Sequence, residues 1–547
     1  MSAELKQKLM FLGICLAAVS LLYGRTLAGD FVFDDRGIVE HQALLSNLNQ
    51  LDKMLTLPYW TEEAGLYRPI TLASYTFNYL LFGSGPAGFH FVNLLLHALT
   101  GFLIYLLVDK LFKRRLLAYL TALIFLLLPI HSEAVANIIG RAEILALLFS
   151  LLAFLSLLKE PQPNQGGLNL KNYWPAGVWL FLAIGSKETA IAALPIAAVM
   201  IYAKEKIFWS RENFYKYLPA AAWSAAGLAA YFGLRFLVLG GEYFLKSVTS
   251  MVENPLQFVS AGPRIITALN ILALYFKKSF WPLGLCSDYS YNQLPVLHNF
   301  FNAGTLIGLA VLSLAVVGVF LVRRAPIISL AAAIFLFGFL PTANLFFPTG
   351  TIMGERLAYF PSLGFSLLLA YGLNEIFKFR GKIMAKYLAV GLFAALAVFY
   401  GAVSFLRAGD WLTEKRLFAS AAGCAPLSVL SRSNLGASYY LAGDLVNAKK
   451  ELLAAREIYD GYPKGINNLG LVYWKEGDLK TARQLFLKAL SFKFPYYGAY
   501  ENLALVSLAE GKIKEARLWL MLLYSGDKAT ADNYIENYLT AEQSGAN

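Results

Sequence analysis

Runs of about twenty apolar residues recur along this chain from Leu9 to Leu406. That is the length an α-helix needs to cross the hydrocarbon of a bilayer. In lipid, every backbone N–H and C=O must be satisfied within the chain, so repeated runs of this kind specify a helix bundle. Charged residues make up 15% of the 547 positions and mean hydropathy is +0.53, against about 25% charge in soluble domains. The spans fall at 9–28, 90–109, 116–131, 141–158, 173–186, 189–203, 217–238, 302–322, 327–345, 357–377 and 384–406, about eleven in all. A further apolar stretch, Ile265 to Trp281, carries Lys277 and Lys278 and reads as a helix lying in the outer interface or re-entering it. The first run does not end in a clean small-residue cleavage site and other spans follow it, so it reads as a span, not a signal peptide.

The net charge of +12 speaks of topology and not of nucleic acid. Its basic clusters lie between spans: Lys6 and Lys8; Lys110, Lys113, Arg114 and Arg115; Lys204, Lys206 and Arg211; Arg323 and Arg324; Lys378, Arg380 and Lys382. The positive-inside rule places them all in the cytoplasm, together with the N-terminus. The acidic loop 29–88 and the segments LPIHSEAVANIIGRAE, GSKETA, CSDYSYNQLP and PTGTIMGERLAYFP are then external, as is the tail. Unusual polar chemistry therefore collects on one face. Cys15, Cys286 and Cys424 are scattered, and their spacing encodes neither a disulfide framework nor a metal cluster.

After the last span the composition changes and a period of 34 residues appears. Asn434, Asn468 and Asn502 are 34 apart, as are Leu435, Leu469 and Leu503; Gly443, Gly477 and Gly511; and Ala448, Ala482 and Ala516. The period, the small residue at each helix crossing and the Gly in the turn resemble the tetratricopeptide repeat. Each such repeat is a helix pair that buries its apolar face on the next. The expected fold is thus all-α, a polytopic membrane helix bundle over 1–408 followed by an external α-solenoid over 409–547, with repeats at about 432–465, 466–499 and 500–533.

The stretch GDFVFDDRGIVEHQ, directly after the first span, sets Asp34 and Asp35 beside a membrane that repels charge. A helix cap in a solvated turn accounts for such a pair. Three features favour chemistry. The flanking FVF holds the carboxylates at the membrane surface; the loop continues rich in polar and aromatic residues; and neighbouring residues point apart, so one aspartate can react while the other caps. An external carboxylate suits attack by a hydroxyl on a lipid-phosphate-linked sugar, where one general base suffices. Glycoside hydrolysis needs a second carboxyl group to protonate the leaving oxygen. A phosphate leaves without one and needs cationic donors, arginine above all.

The motifs FVFDDRGIVEHQ, YRPI, FHFVNLLLHAL, LPIHSEAVANIIGRAE, GSKE and ERLAYFPSLGF occur in this order ahead of the repeats. In order, topology and tail the whole chain resembles the transmembrane O-mannosyltransferases targeting cadherins, and more broadly the GT-C class of polyprenyl-phosphate-sugar glycosyltransferases. The resemblance implies inverting transfer of mannose from a polyprenyl phosphate to Ser or Thr of a protein, on the external or lumenal face. It implies a catalytic aspartate in the first external loop, for which Asp34 is preferred over Asp35. Only three repeats and no Asn-x-Ser/Thr sequon are present, which suggests a prokaryotic relative in the plasma membrane; a eukaryotic one would sit in the ER membrane with lumenal repeats.

The other polar residues are ranked by position. Arg356, in MGERLAYFP at the outer end of a span, is the first choice to hold the donor phosphate, with Glu355 orienting it; Lys187 and Glu188 read equally as a structural salt bridge or as phosphate contact, and Arg264 and Lys277 are weaker candidates. His131 and Glu133 match no zinc signature and read as site wall. Arg141 and Glu143 read as a pair or as site residues. Asp288 and Tyr289 are candidates for acceptor or sugar contact, with a turn the simpler reading, while His90 and His97 bury into the bundle. No cofactor is expected beyond the lipid-phosphate sugar, and two adjacent aspartates make a weak divalent-metal site. Expected partners are that donor, membrane lipids, and a polypeptide acceptor or partner protein on the repeats. Two rival readings are a lipid-linked sugar transporter or flippase, which predicts broken helices, and a membrane-anchored repeat scaffold.

Overall fold

Each of the eleven apolar runs closes into a helix, and several open on a proline, whose missing N–H is not needed in a first turn. Examples are Pro69–Phe82, Pro86–Phe112 and Pro326–Phe339. The computed structural model describes residues 2–40, 51–60, 65–158, 173–205, 211–243, 249–379, 383–492 and 496–543, and these are helical, without strands. Lys206, Arg380 and Lys382 of the basic clusters lie outside the described residues. The chain divides into two compact units: Met1–Thr249, Leu256–Ser287 and Val296–Leu417 form one, and Ser250–Pro255, Asp288–Pro295 and Phe418–Asn547 form the other. Two short segments of the 250–295 region thus join the repeats, which a single cut at residue 408 does not capture.

In the first unit the apolar runs differ in length and continuity. Among the described residues six helical segments are long and apolar enough to cross a membrane: 3–28, 86–112, 138–157, 217–241, 303–323 and 383–412. A seventh is the pair Arg115–Leu127 and Pro129–Ala136, bent by 52°. Other runs are interrupted. Trp174–Ser186 has 13 residues, roughly 20 Å of helix against about 30 Å of hydrocarbon. Hydropathy alone joins such pieces; Pro129 and the pair Lys187–Glu188 break them. Broken ends leave backbone groups that need partners, and they bring charged side chains to one place. The short helix is held by close packing: a Cβ on Gly177 would meet the Trp223 carbonyl oxygen at 2.4 Å, and one on Gly227 the Gly177 carbonyl oxygen at 2.5 Å. Only glycine lets these backbones approach so nearly.

Ala261–Phe280 is a continuous helix whose buried face (Leu269, Leu272, Tyr275) packs in the bundle. Cys15 is free and buried. Cys286 and Cys424 are in disulfide form, which corrects the reading from spacing.

In the second unit the 34-residue period becomes helix pairs: Val429–Leu441 with Leu445–Ile458, Pro463–Lys475 with Leu479–Leu490, and Gly498–Ala509 with Ile513–Leu523, closed by Lys528–Gln543. Ala448, Ala482 and Ala516 are fully buried. Gly443, Gly477 and Gly511 turn each pair at φ of 76°, 85° and 75°, a left-handed conformation that disfavours any side chain. Asp288 is built into this unit as a structural anchor. Its carboxylate accepts hydrogen bonds from Ser290 N (3.0 Å), Ser431 Oγ (2.7 Å) and Ser428 Oγ at the start of the first repeat helix. Tyr289 beside it is buried.

Candidate functional site

The segment after the first span is anchored by its apolar residues. Phe31, Ile38 and Val39 pack with Tyr59, Tyr75, Phe89, Ile138 and Ile139. The backbone amide of Asp30 donates to the Leu412 carbonyl at 3.0 Å, and Arg36 Nε pairs with Glu414 at 3.0 Å, which stitches the segment to the exit of the last span. Between these anchors Phe33 adopts φ 55°, a conformation costing about 1–3 kcal/mol in a bulky residue and retained where a site needs it. It turns the chain so that the two aspartates part.

Asp35 goes inward. It is fully buried, with Oδ1 accepting from Ile139 N at 3.0 Å and Oδ2 from Val32 N at 3.3 Å. Burial raises its pKa to about 7, against the pull of those two amides, and the charge of Asp34 adds to the rise. The folded state therefore holds this proton more tightly than the unfolded chain, whose carboxylate titrates near about 3.9. The associated stability is fully present below about pH 4 and lost as pH rises through about 7. Melting temperatures of the solubilised protein are expected to fall across that window, and Asp35→Asn is expected to flatten the fall. Parallel curves for the two proteins would assign the titration to another group.

Asp34 is half-buried. Its charge acts on Arg356 and on the buried Tyr59. Arg356 sits on the turn Glu355–Ala358, and both its backbone N–H and its Nη1 donate to Glu133, at 2.9 and 3.0 Å. Burial works against this guanidinium, but Glu133 first and Asp34 next more than restore it, so its pKa is raised. Glu133 therefore orients Arg356. Glu355, assigned that task from sequence, is buried elsewhere, accepting from Cys286 N at 2.6 Å and facing Arg407 at 4.0 Å.

Two more cations join the cluster, each on a carboxylate. Lys187 bonds to Glu143, both nearly buried. Arg68 makes a two-pronged pair with Glu188, Nε to Oε2 at 3.0 Å and Nη2 to Oε1 at 2.7 Å, and lies over the Tyr59 ring at 4.9 Å. Burial opposes ionisation of Glu188, yet Arg68 and Lys187 hold its carboxyl at about 2. The charges of Arg68, Arg356, Glu143 and Glu188 all reach Lys187, so the pairs form one cluster at the broken helix ends. Arg68 was passed over as a site residue although it stands in the quoted YRPI. The available signal was its place before Pro69, which starts a helix and forces Arg68 out of helical conformation, at φ −134°.

The remaining candidates lie elsewhere. Arg141 does not pair with Glu143. It is fully buried and donates to Asn93 Oδ1 (2.7 Å), Asn78 Oδ1 (2.7 Å), the Phe89 carbonyl (2.9 Å) and the Ser74 carbonyl (3.2 Å), tying three helices together. His131 Nε2 meets Ser362 Oγ at 2.7 Å, packed among Phe125, Tyr359 and His97, so it supports the break in the helix. Arg264 donates to the Phe346 carbonyl at 3.3 Å, outside the cluster. His90 and His97 are buried. Among the described residues no group of three or more His, Cys, Asp or Glu is placed to hold a metal ion. A cavity of about 270 Å³ lies away from this chemistry, lined by Leu111, Arg114, Lys204 and Leu330 among others, with no carboxylate.

In this cluster Arg68, Lys187 and Arg356 each sit on a glutamate, and Asp34 is a further carboxylate whose charge reaches Arg356. Residues 69–232 match the model of the family described as dolichyl-phosphate-mannose-protein mannosyltransferase. The chain is 29% identical to the protein O-mannosyl-transferase TMTC4 of Mus musculus over 76% of its own length and 62% of the relative's. For the protein O-mannosyl-transferase F38B6.6 of Caenorhabditis elegans the figures are 26%, 77% and 59%, and for TMTC3 of Homo sapiens 27%, 76% and 47%. The chain thus spans less than two thirds of the length of these relatives. ArnT from Cupriavidus metallidurans, solved with undecaprenyl phosphate bound, aligns over 90% of this chain and 82% of its own at 12% identity and a TM-score of 0.45. The matched residues 69–232 include Glu133, Glu143, Lys187 and Glu188, and over 76% of its length the chain is similar to a protein O-mannosyl-transferase.

Proposed function

We propose that this protein moves a sugar, mannose, from a polyprenyl-phosphate donor to the hydroxyl of Ser or Thr in a polypeptide, with inversion, on the external or lumenal face of the membrane. The observation that carries this reading is the half-buried Asp34 set against Arg356 in a cluster that also holds Arg68 and Lys187. The donor, sugar and acceptor classes are those in the family description and in the relatives' names. Cys286 and Cys424 in disulfide form suit an oxidising, external face.

In the reaction, Asp34 takes the proton of the acceptor hydroxyl as its oxygen bonds to the anomeric carbon. The bond from that carbon to the phosphate oxygen breaks, and the electron pair leaves on the phosphate. Arg356 and Arg68 donate hydrogen bonds to the charge that develops there, while Lys187, held by Glu143, adds a fixed positive field. Asp34 later passes its proton to water. Asp35, buried on two backbone amides, holds the turn that aims Asp34. The repeat unit would recruit the extended acceptor.

The break at Pro129 is a feature that the transporter reading also predicts. Transfer itself decides between them. Membranes containing the protein, supplied with radiolabelled polyprenyl-phosphate mannose, are expected to label protein. Arg356→Ala should reduce that labelling by roughly 10²–10³-fold, as removal of an electrostatic donor does. No transfer by the wild-type protein with this donor would reject the reading.

A further inference from the structure

In the cluster, Arg68, Lys187 and Arg356 supply three positive charges; Asp34, Glu133, Glu143 and Glu188 supply four negative ones. Without ligand the site is already negative by one, and each cation already has a carboxylate on it. The donor brings one more negative charge as a phosphodiester. The spent lipid is a monoester whose second ionisation lies near about pH 6, so it carries close to two. For a phosphate to take the donors already engaged, the carboxylate on them must give way. The three differ in freedom to do so. Glu133 is held by both the backbone and the side chain of Arg356 and is 4% exposed; Glu143 is also 4% exposed against Lys187. Glu188 is 33% exposed, and its two-pronged pair with Arg68 uses a donor geometry that a phosphate also accepts.

We infer that Glu188 is an intramolecular competitor for the donor phosphate: it swings off Arg68 when the lipid phosphate binds and returns to displace the spent lipid phosphate. The inference rests on the donor reading above and assigns Glu188 as a positioning residue that acts through Arg68. Removing its charge should tighten lipid-phosphate binding and slow release. By reciprocity, tighter phosphate binding and weaker Glu188 docking are the same coupling seen from two sides.

The test uses the full chain in detergent, with dolichyl monophosphate as the probe. Glu188→Gln is expected to bind it about tenfold more tightly than wild type, within the usual range of such couplings. Arg68→Ala is expected to bind it about tenfold or more weakly, and adding Glu188→Gln to Arg68→Ala should change nothing further. In turnover, Glu188→Gln should lower the donor KM and kcat together, with stronger inhibition by the product lipid. A role limited to holding the fold would not produce that split. Glu188→Asp keeps the charge and shortens the arm, so it decides the matter should the Gln variant fail to fold: binding tightened by a few fold supports the inference, and binding equal to wild type overturns it. If Arg68→Ala weakens binding but Glu188→Gln does not strengthen it, the competitor role is rejected and the donor reading stands. If neither Arg68→Ala nor Arg356→Ala alters binding, the donor reading itself is what fails.

Discussion

Asp34→Asn is expected to leave the protein folded and able to bind its lipid donor while lowering sugar transfer by roughly 10²–10⁴-fold, the contribution of a positioned general base. Asparagine preserves the shape at residue 34 and the left-handed turn at Phe33, so the loss falls on kcat and not on donor affinity. Affinity should rise slightly, because one of the four negative charges of the cluster is gone. Asp35→Asn is the internal control: its neighbour is within one residue, yet its carboxylate is occupied by the amides of Ile139 and Val32. Transfer within a few fold of wild type in Asp35→Asn, beside near-zero transfer in Asp34→Asn, assigns the base. The opposite pattern would assign it to Asp35, whose pKa of about 7 also suits proton transfer near neutrality.

The second large effect concerns folding. Arg141→Met removes a buried guanidinium that donates to Asn93, Asn78, Phe89 and Ser74 and lies over the Tyr75 ring at 4.8 Å. Four acceptors lose their donor in a dry interior, and breaking a buried charged network of this kind costs about 3–5 kcal/mol. Most of a marginally stable protein's reserve is of that size. The expected result is loss of the monodisperse peak in detergent gel filtration. Arg141→Lys should fare little better, since an ammonium cannot span acceptors arranged for a planar fork. Whatever fraction of either variant folds should transfer sugar at the wild-type rate per molecule. A well-folded Arg141→Met protein without activity would instead place Arg141 in the reaction.

Much of this was legible in the sequence, for identifiable reasons. Apolar runs and a 34-residue period are local patterns, so helices and repeats followed directly from them. The polar motifs between runs marked segments whose charges the structure brings together, because charge near lipid needs a purpose or a partner. Partner choice was harder. Arg141 and Glu143 are two apart on a helix and cannot face each other; that spacing already argued against pairing them. Glu355 beside Arg356 fails likewise, since adjacent side chains diverge. The true partners, Glu133 for Arg356 and Glu188 for Arg68, are 223 and 120 residues distant, and no periodicity encodes them. For Asp288 the local turn to Ser290 was legible, while its other serine partners lie 140 and 143 residues on. The breaks within the apolar runs were not legible, because hydropathy averages across the interruptions at Pro129 and at Lys187 and Glu188.

The stitching of the Asp34 segment to residues 412 and 414 bears on when the protein becomes competent. During synthesis the first external loop emerges hundreds of residues before Leu412 and Glu414 are made. Until then the Asp30 amide lacks its carbonyl and Arg36 lacks its carboxylate, so the turn at Phe33 has lost two of its clamps. The segment that carries Asp34 is therefore fixed only once residues 412 and 414 have been made. A chain truncated before residue 412 holds both aspartates without the two contacts that fix their segment.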